Sequence, residues 1–170
     1  MSIPELWRRN ATRTSATLLA TLLLPVAALA ADHGWPRFTP DVWQALTRAG
    51  GTPTAVVFTT TDCASCVQAL HGLADALHAK GRPQGRLVVV MLDGPALGAE
   101  QAASHHYQLT DERYAYDGPD QPLRYRIDPT WRGETPYVVL VGSDGRLQRS
   151  VGPPRPQAVQ ALLQAPRPAH

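Results

Sequence analysis

The two cysteines of this chain, Cys63 and Cys66, are separated by two residues and lie between an apolar run and a helical pattern. Residues 54–60 predict a buried strand, and residues 64–79 predict the helix that follows it. This order places the Cys63 sulfur at a helix N-terminus, where free N–H groups and the helix dipole favour the thiolate. A thiolate with a second thiol one turn away can attack a disulfide and then resolve the mixed disulfide. The pattern therefore indicates redox chemistry, with a structural disulfide or two buried core thiols as the alternatives.

The first 30 residues have the pattern of an export signal. Three arginines precede an apolar stretch at 16–29 that contains six leucines, and a small-x-small triplet ends at Ala30. We predict a Sec-type signal peptide over residues 1–30, cleaved before Ala31. The alternative is an uncleaved membrane anchor, because the apolar run is at the short limit of what spans a bilayer.

The charge balance changes when the signal segment is removed. Of the 16 basic and 14 acidic residues, three arginines and one glutamate lie in residues 1–30, which leaves 13 of each. A net charge of zero gives no reason to expect nucleic-acid binding. In an oxidising compartment the lone cysteine pair will form a disulfide, and its short loop stabilises a fold very little. The pair is therefore better suited to thiol–disulfide exchange than to cross-linking.

The chain after the signal segment has the length of one domain. We predict a lead-in at 31–39, a single domain at 40–164 and a disordered tail at 165–170. A helix is expected from Val42 to Ala49, with its buried face in the residues Val42, Leu46 and Ala49.

The helix after Cys63 and the strand after that helix complete a βαβ unit. The apolar face of the helix is predicted to contain Cys66, Leu70, Leu73 and Leu77. Residues 86–92 form a second apolar run, so a buried strand parallel to the first is expected, with a right-handed crossover.

The part of the domain after residue 92 contains one segment with a weak sequence pattern and one with a strong pattern. Between residues 93 and 131 we predict only a turn and a short helix at 97–107. Residues 137–151 then predict an antiparallel hairpin around a Ser-Asp-Gly-Arg turn, followed by a closing helix at 157–163.

The dipeptide Thr135-Pro136, directly before the hairpin, completes a pattern that resembles the thioredoxin fold. The resemblance implies an α/β domain with a central mixed β-sheet and helices on both faces. It implies that Pro136 is cis, lies against the sulfurs of Cys63 and Cys66, and, with Thr135, presents the substrate strand. A trans proline at the start of an edge strand is the alternative.

The spacing of the motifs is similar to that of exported thioredoxin-like proteins of the TlpA/ResA type. Pro136 follows Cys63 by 73 residues, which is much longer than in plain thioredoxins. Proteins of this type carry a βα-type insert between the CxxC helix and the cis-proline, and residues 93–131 are similar to that insert.

Five positions depart from the resembled family. Asp62 replaces a tryptophan, and its carboxylate opposes thiolate formation unless it points away as a helix N-cap. Ser65 belongs to the pair that replaces Gly-Pro or Glu-Pro, and its hydroxyl can hydrogen-bond to a sulfur. Val57 and Ala69 stand where relatives place an acid that accepts a proton from the buried second cysteine. The absence of this acid predicts slower resolution or a different acid.

The first functional hypothesis is an exported thiol–disulfide oxidoreductase without a cofactor. Cys63 would be the nucleophile and Cys66 the resolving thiol, with Asp62 and Ser65 as supporting residues. The resemblance implies a reductant that takes electrons from a membrane donor for cytochrome c or copper-site maturation. Its partners would be proteins with cysteines or disulfides, and it would contact a membrane only if residues 1–30 remain attached.

The second hypothesis is a copper metallochaperone on the same fold. Cys63 and Cys66 would bind Cu(I), since soft thiolates suit this ion, together with His105 and His106. Copper chaperones of the Sco type have three residues between their cysteines, whereas this chain has two. A third hypothesis is a binding protein whose disulfide takes no part in chemistry.

Overall fold

The computed structural model describes residues 34–78 and 84–165. The predicted signal peptide or anchor and residues 166–170 of the predicted tail lie outside the described residues. Within the described ranges, no helix has both the length and the apolar character needed to cross a membrane.

The described residues form a mixed sheet with helices between its strands. In chain order the strands are β1 (Thr54–Thr59), β2 (Arg86–Met91), β3 (Glu112–Ala115), β4 (Tyr137–Val141) and β5 (Leu147–Val151). The helices are α1 (Pro40–Leu46), α2 (Ala64–Leu77), α3 (Ala99–Ala102), α4 (His105–Gln108), α5 (Asp120–Ile127) and α6 (Pro156–Gln164). A short 3₁₀ turn, Gly94–Ala96, follows β2.

The strands are arranged in the order β3-β2-β1-β4-β5. β1 and β2 are parallel, as are β2 and β3, whereas β4 is antiparallel to both β1 and β5. Val57 of β1 lies across from Val89 on one side and from Val138 on the other. β1 is therefore a central strand, as its continuous apolar run predicts.

Both faces of the sheet are covered by helices. Because side chains alternate along a strand, Ala55 and Val57 pack in one core with α2, α4 and α6. Val56 and Phe58 pack in the other core, which receives apolar side chains from α1 and α5. The expected α/β architecture with helices on both faces is confirmed.

The first helix is shorter than predicted. It starts after Thr39, whose Oγ1 accepts a hydrogen bond from the Val42 N–H at 3.3 Å, and ends at Leu46. Trp43 and Leu46 are its buried residues, whereas Ala49 is exposed, so the predicted position of Ala49 on the apolar face is wrong. The chain leaves the helix at Thr47, before Ala49 can complete that face.

The βα-type insert is confirmed, but its elements are shorter and more numerous than the sequence predicts. Two one-turn helices, α3 and α4, replace the single helix expected at 97–107. β3 adds an edge strand beside β2, where Arg86 of β2 and Glu112 of β3 form a salt bridge at 2.7 Å. The insert therefore extends the sheet on the side away from the proline-led hairpin.

Candidate active site

The cysteine pair lies at the N-terminus of α2. Cys63 is the N-cap residue of this helix and forms a disulfide with Cys66. The two residues differ in accessibility, since Cys66 is 2% exposed and Cys63 is only half-buried. The predicted inward position of Cys66 is confirmed, and an incoming reactant meets Cys63 first.

The register between β1 and β4 brings Thr135 and Pro136 beside the cysteine loop. Phe58 lies across from Tyr137, so one further step along the two strands places Thr59 across from Pro136. The next step brings the hydroxyls of Thr60 and Thr135 to 3.5 Å from each other. The Thr135–Pro136 peptide bond is cis. Two segments that are 75 residues apart in the chain thus border one site.

The two predicted supporting residues differ in their placement. Asp62 is exposed and precedes the N-cap residue, so the predicted helix-capping role of Asp62 is wrong. The helix begins one residue too late for that role, and Cys63 makes no side-chain capping bond. The Ser65 Oγ lies 3.7 Å from the Cys63 sulfur, within reach of the hydrogen bond expected for it.

The positions of the missing acid are apolar and closed. Val57 is 0% exposed and Ala69 is 2% exposed, so both positions are buried and neither carries a carboxylate. The acid of the resembled family is therefore missing from these two positions in the structure, as it is in the sequence.

A carboxylate that no sequence motif marks, that of Asp93, holds the loop before Cys63. Asp93 accepts hydrogen bonds from the Thr61 N–H at 3.0 Å and from the Thr61 hydroxyl at 2.6 Å. The Gln101 side chain donates to the Thr61 carbonyl at 2.7 Å. We call Thr61, Asp93 and Gln101 the Thr61 anchor. Asp93 follows β2, and because the carboxyl ends of parallel neighbours meet at one sheet edge, its position could have been found from the sequence.

The predicted metal ligands separate into two groups. Cys63 and Cys66 are bonded to each other. His105 and His106 on α4 instead form a group with His71 of α2, in which one ligand atom from each histidine lies within 4.8 Å of the others. Partial burial, followed by the nearby His105 and His71, lowers the pKa of His106.

The residue after Pro136 is tied to the end of α5. Tyr137 donates a hydrogen bond to Asp128 at 2.5 Å and stacks on Trp131 with a ring-centroid distance of 4.2 Å. The hydrogen bond from Tyr137 and then those from Thr130 lower the pKa of the Asp128 carboxyl. These contacts fix the position of Tyr137, the residue that follows the cis-proline.

Asp128 gives the fold a stabilisation that depends on pH. Because its folded-state pKa is below the ordinary value of 3.8, this stabilisation is complete above that value and is lost as the pH falls through the folded-state pKa. We therefore expect Asp128→Asn to lower the free energy of unfolding at neutral pH. At about pH 3 the same substitution should lower this free energy by a smaller amount. Urea unfolding at both pH values measures the difference. The exposed Asp75→Asn serves as the control, and an effect of Asp128→Asn that is equal at both pH values would contradict the assignment.

The strand order, the disulfide at a helix N-terminus and the cis-proline directly before β4 define a protein of the thioredoxin-like fold. This confirms the fold implied by the sequence resemblance. No protein-family model matches the chain, and a search of curated proteins finds no match.

Solved structures share this fold. A thioredoxin-related protein from Neisseria meningitidis serogroup B is 16% identical, with a TM-score of 0.51 over 76% of this chain and 93% of that one. A protein described as a thioredoxin-like superfamily protein is 20% identical, with a TM-score of 0.52 over 72% of this chain and 87% of that one. A secreted disulfide oxidoreductase of Mycobacterium tuberculosis, described as homologous to E. coli DsbE, is 19% identical, with a TM-score of 0.46 over 68% of this chain and 81% of that one.

Proposed function

We propose that this chain is an exported thiol–disulfide oxidoreductase that exchanges the Cys63–Cys66 disulfide with cysteines of protein substrates. The observation that carries the proposal is the unequal accessibility of the two sulfur-bearing residues at the start of α2, beside Thr135 and Pro136. Export is supported by the signal pattern of residues 1–30.

The chemistry in the reducing direction needs only the two thiols. The Cys63 thiolate attacks one sulfur of a substrate disulfide, a mixed disulfide forms, and the first substrate thiolate leaves and takes up a proton. The Cys66 thiolate then attacks the Cys63 sulfur, the bond to the substrate breaks, and the second substrate thiolate leaves and is protonated. Two electrons pass to the substrate, and the Cys63–Cys66 disulfide is re-formed.

The position of Cys63 supports its role as the attacking group. Cys63 is the N-cap residue of α2, so its sulfur lies at the positive end of the helix dipole. This position favours the thiolate. Thr135 and Pro136 supply an adjacent segment against which a substrate strand can lie. No cofactor enters this scheme.

We further propose that the physiological direction is reduction, in cytochrome c or copper-site maturation, with a membrane protein as the electron donor. The support is the similarity in motif spacing to TlpA/ResA-type proteins. A donor is required because each turnover leaves Cys63 and Cys66 oxidised.

Cu(I) binding by the reduced cysteines is the second candidate function. It is favoured by two soft sulfur ligands at one partly accessible site. The group that His105 and His106 form with His71 contains neither cysteine. Stoichiometric Cu(I) binding by the reduced protein, without catalysis of disulfide exchange, would favour this candidate.

The wild-type protein tests the oxidoreductase proposal directly. We expect it to accelerate the reduction of insulin by dithiothreitol and to equilibrate with glutathione buffers. The midpoint potential should lie above about −300 mV, because structural disulfides in secreted proteins lie below that value. A lower potential together with no acceleration would identify an idle structural disulfide and overturn the proposal.

A further inference from the structure

His71, His105 and His106 form a cluster that disulfide exchange does not use. His71 is on α2, five residues after Cys66, and the other two begin α4. One ligand atom from each ring lies within 4.8 Å of the other two. The ring centroids are 6.0 Å apart for His71 and His105, and 4.9 Å apart for His105 and His106.

The rings of this cluster are free to act as ligands. Within residues 34–78 and 84–165, none of the three is held by a hydrogen bond or an ion pair. His78, also on the α2 side of the domain, differs because it is paired with Asp111 at 3.1 Å. Imidazole nitrogens gathered at this range can share a single metal ion, which attracts all three.

The spacing is close to that of a metal site. Zn–N bonds of about 2.0–2.1 Å in tetrahedral geometry place ligand nitrogens roughly 3.4 Å apart. The ligand nitrogens therefore need to come closer to one another by about 1 Å or slightly more. Small side-chain rotations can achieve this, since His105 is exposed and His71 and His106 are only half-buried.

We propose that His71, His105 and His106 bind one divalent first-row transition-metal ion. Imidazole ligands suit Zn²⁺, Ni²⁺ and Cu²⁺, and the general order of affinities places Cu²⁺ above Zn²⁺. Three protein ligands leave at least one coordination position for water or another small ligand. The ion would join α4 to α2 and would thereby link the insert to the helix that carries the cysteines.

The site is distinct from the copper site considered from the sequence. That hypothesis combined His105 and His106 with the two cysteines, whereas the structure supplies His71 as the third ligand. The proposed ion is held by nitrogen alone, so it does not require the reduced protein. This independence separates its test from that of the oxidoreductase proposal.

The test is a titration of the oxidised protein, in which the two sulfurs are bonded to each other and cannot compete. The protein is purified without a polyhistidine tag and titrated with Zn²⁺ by calorimetry and with Cu²⁺ by electron paramagnetic resonance. We expect one ion per chain, tighter binding of Cu²⁺ than of Zn²⁺, and nitrogen couplings in the Cu²⁺ spectrum. Bound Zn²⁺ should also raise the melting temperature, because it binds the folded state.

Variants decide whether these residues are the ligands. His105→Ala and His106→Ala should each weaken binding by a factor of about ten or more, since loss of even an outer-shell partner costs that much. His78→Ala is the matched control and should bind as the wild type does. A variant lacking His33 and His170 controls for the histidines outside the described residues and should also retain binding.

Two results would overturn the proposal. One is the absence of Zn²⁺ and Cu²⁺ binding by the wild-type protein, and the other is unchanged binding by the triple variant His71→Ala/His105→Ala/His106→Ala. Circular dichroism without metal shows whether each variant is folded. If the triple variant is unfolded, His105→Ala alone decides the question, because His105 is exposed.

Discussion

Cys63→Ala is expected to lower insulin reduction to the uncatalysed background, because no other thiol can make the first attack. Cys66 is 2% exposed, and in this variant it has no partner with which to close a disulfide. The initial rate of insulin reduction at equal protein concentration measures the loss. Gln68→Ala, an exposed change on the same helix, should retain the wild-type rate.

Cys66→Ala should differ from Cys63→Ala in a way that identifies their roles. The Cys63 thiolate of this variant can still attack, but nothing resolves the mixed disulfide that forms. Covalent adducts with a disulfide-bonded substrate should therefore accumulate on non-reducing gels for Cys66→Ala alone. Equal trapping by both variants would show that the accessibility of the two residues does not set the order of attack.

Phe58→Ala is expected to cause the largest loss of stability. Phe58 is 0% exposed, and the rings around it belong to Phe38, Trp43, Trp131 and Tyr137, at centroid distances of 5.8, 6.0, 5.3 and 6.5 Å. Replacing a buried phenylalanine by alanine removes its contacts and leaves a cavity, which typically costs about 3–5 kcal/mol. Such a loss is a large part of the total for a domain, which is about 5–15 kcal/mol.

Urea unfolding followed by circular dichroism measures this loss of free energy. Tyr125→Ala is the control, because Tyr125 is an aromatic residue that is 70% exposed and its removal should change the free energy by less than about 0.5 kcal/mol. Phe58→Leu should lie between the two, since it keeps most of the buried volume. Equal stability of Phe58→Ala and Tyr125→Ala would show that the aromatic cluster does not support the fold.

The elements around the cysteines were predictable because each has a strong local pattern. Val56 and Val57 belong to an apolar run too continuous for a surface strand, and the run ends at Phe58, five residues before Cys63. The buried residues of α2 recur at helical spacing, and all four that were predicted to face the sheet are buried. The hairpin of β4 and β5 followed from two short strands around a Gly-containing turn.

The insert was harder to predict because its elements are held by tertiary contacts. β3 has only one buried residue, Ala115, and depends on its parallel pairing with β2. α5 carries only two buried residues, Leu123 and Ile127, on an otherwise polar sequence. Neither segment is long enough for its apolar residues to show the periodicity of a strand or a helix.

The parts of the candidate site that are fixed by spacing along the chain could be predicted from the sequence. The residues that come together only through packing could not. The CxxC spacing and the Thr135-Pro136 dipeptide predicted the two segments that lie side by side at this edge of the sheet. Asp93 and Gln101 come together with Thr61 only when β1 and β2 align, and His71 meets His105 only when α4 packs on α2. The N-cap interpretation of Asp62 rested on its residue type, which suits a cap. It failed because the helix starts after Cys63.

The Thr61 anchor has a consequence for the order in which the chain becomes functional. Asp93 and Gln101 follow Thr61 by 32 and 40 residues and satisfy its N–H, hydroxyl and carbonyl groups. During synthesis from the N-terminus, both cysteines are made well before the residues that hold their loop. The nascent chain thus has its thiols before it has Asp93 and Gln101, the residues that hold the loop in front of them.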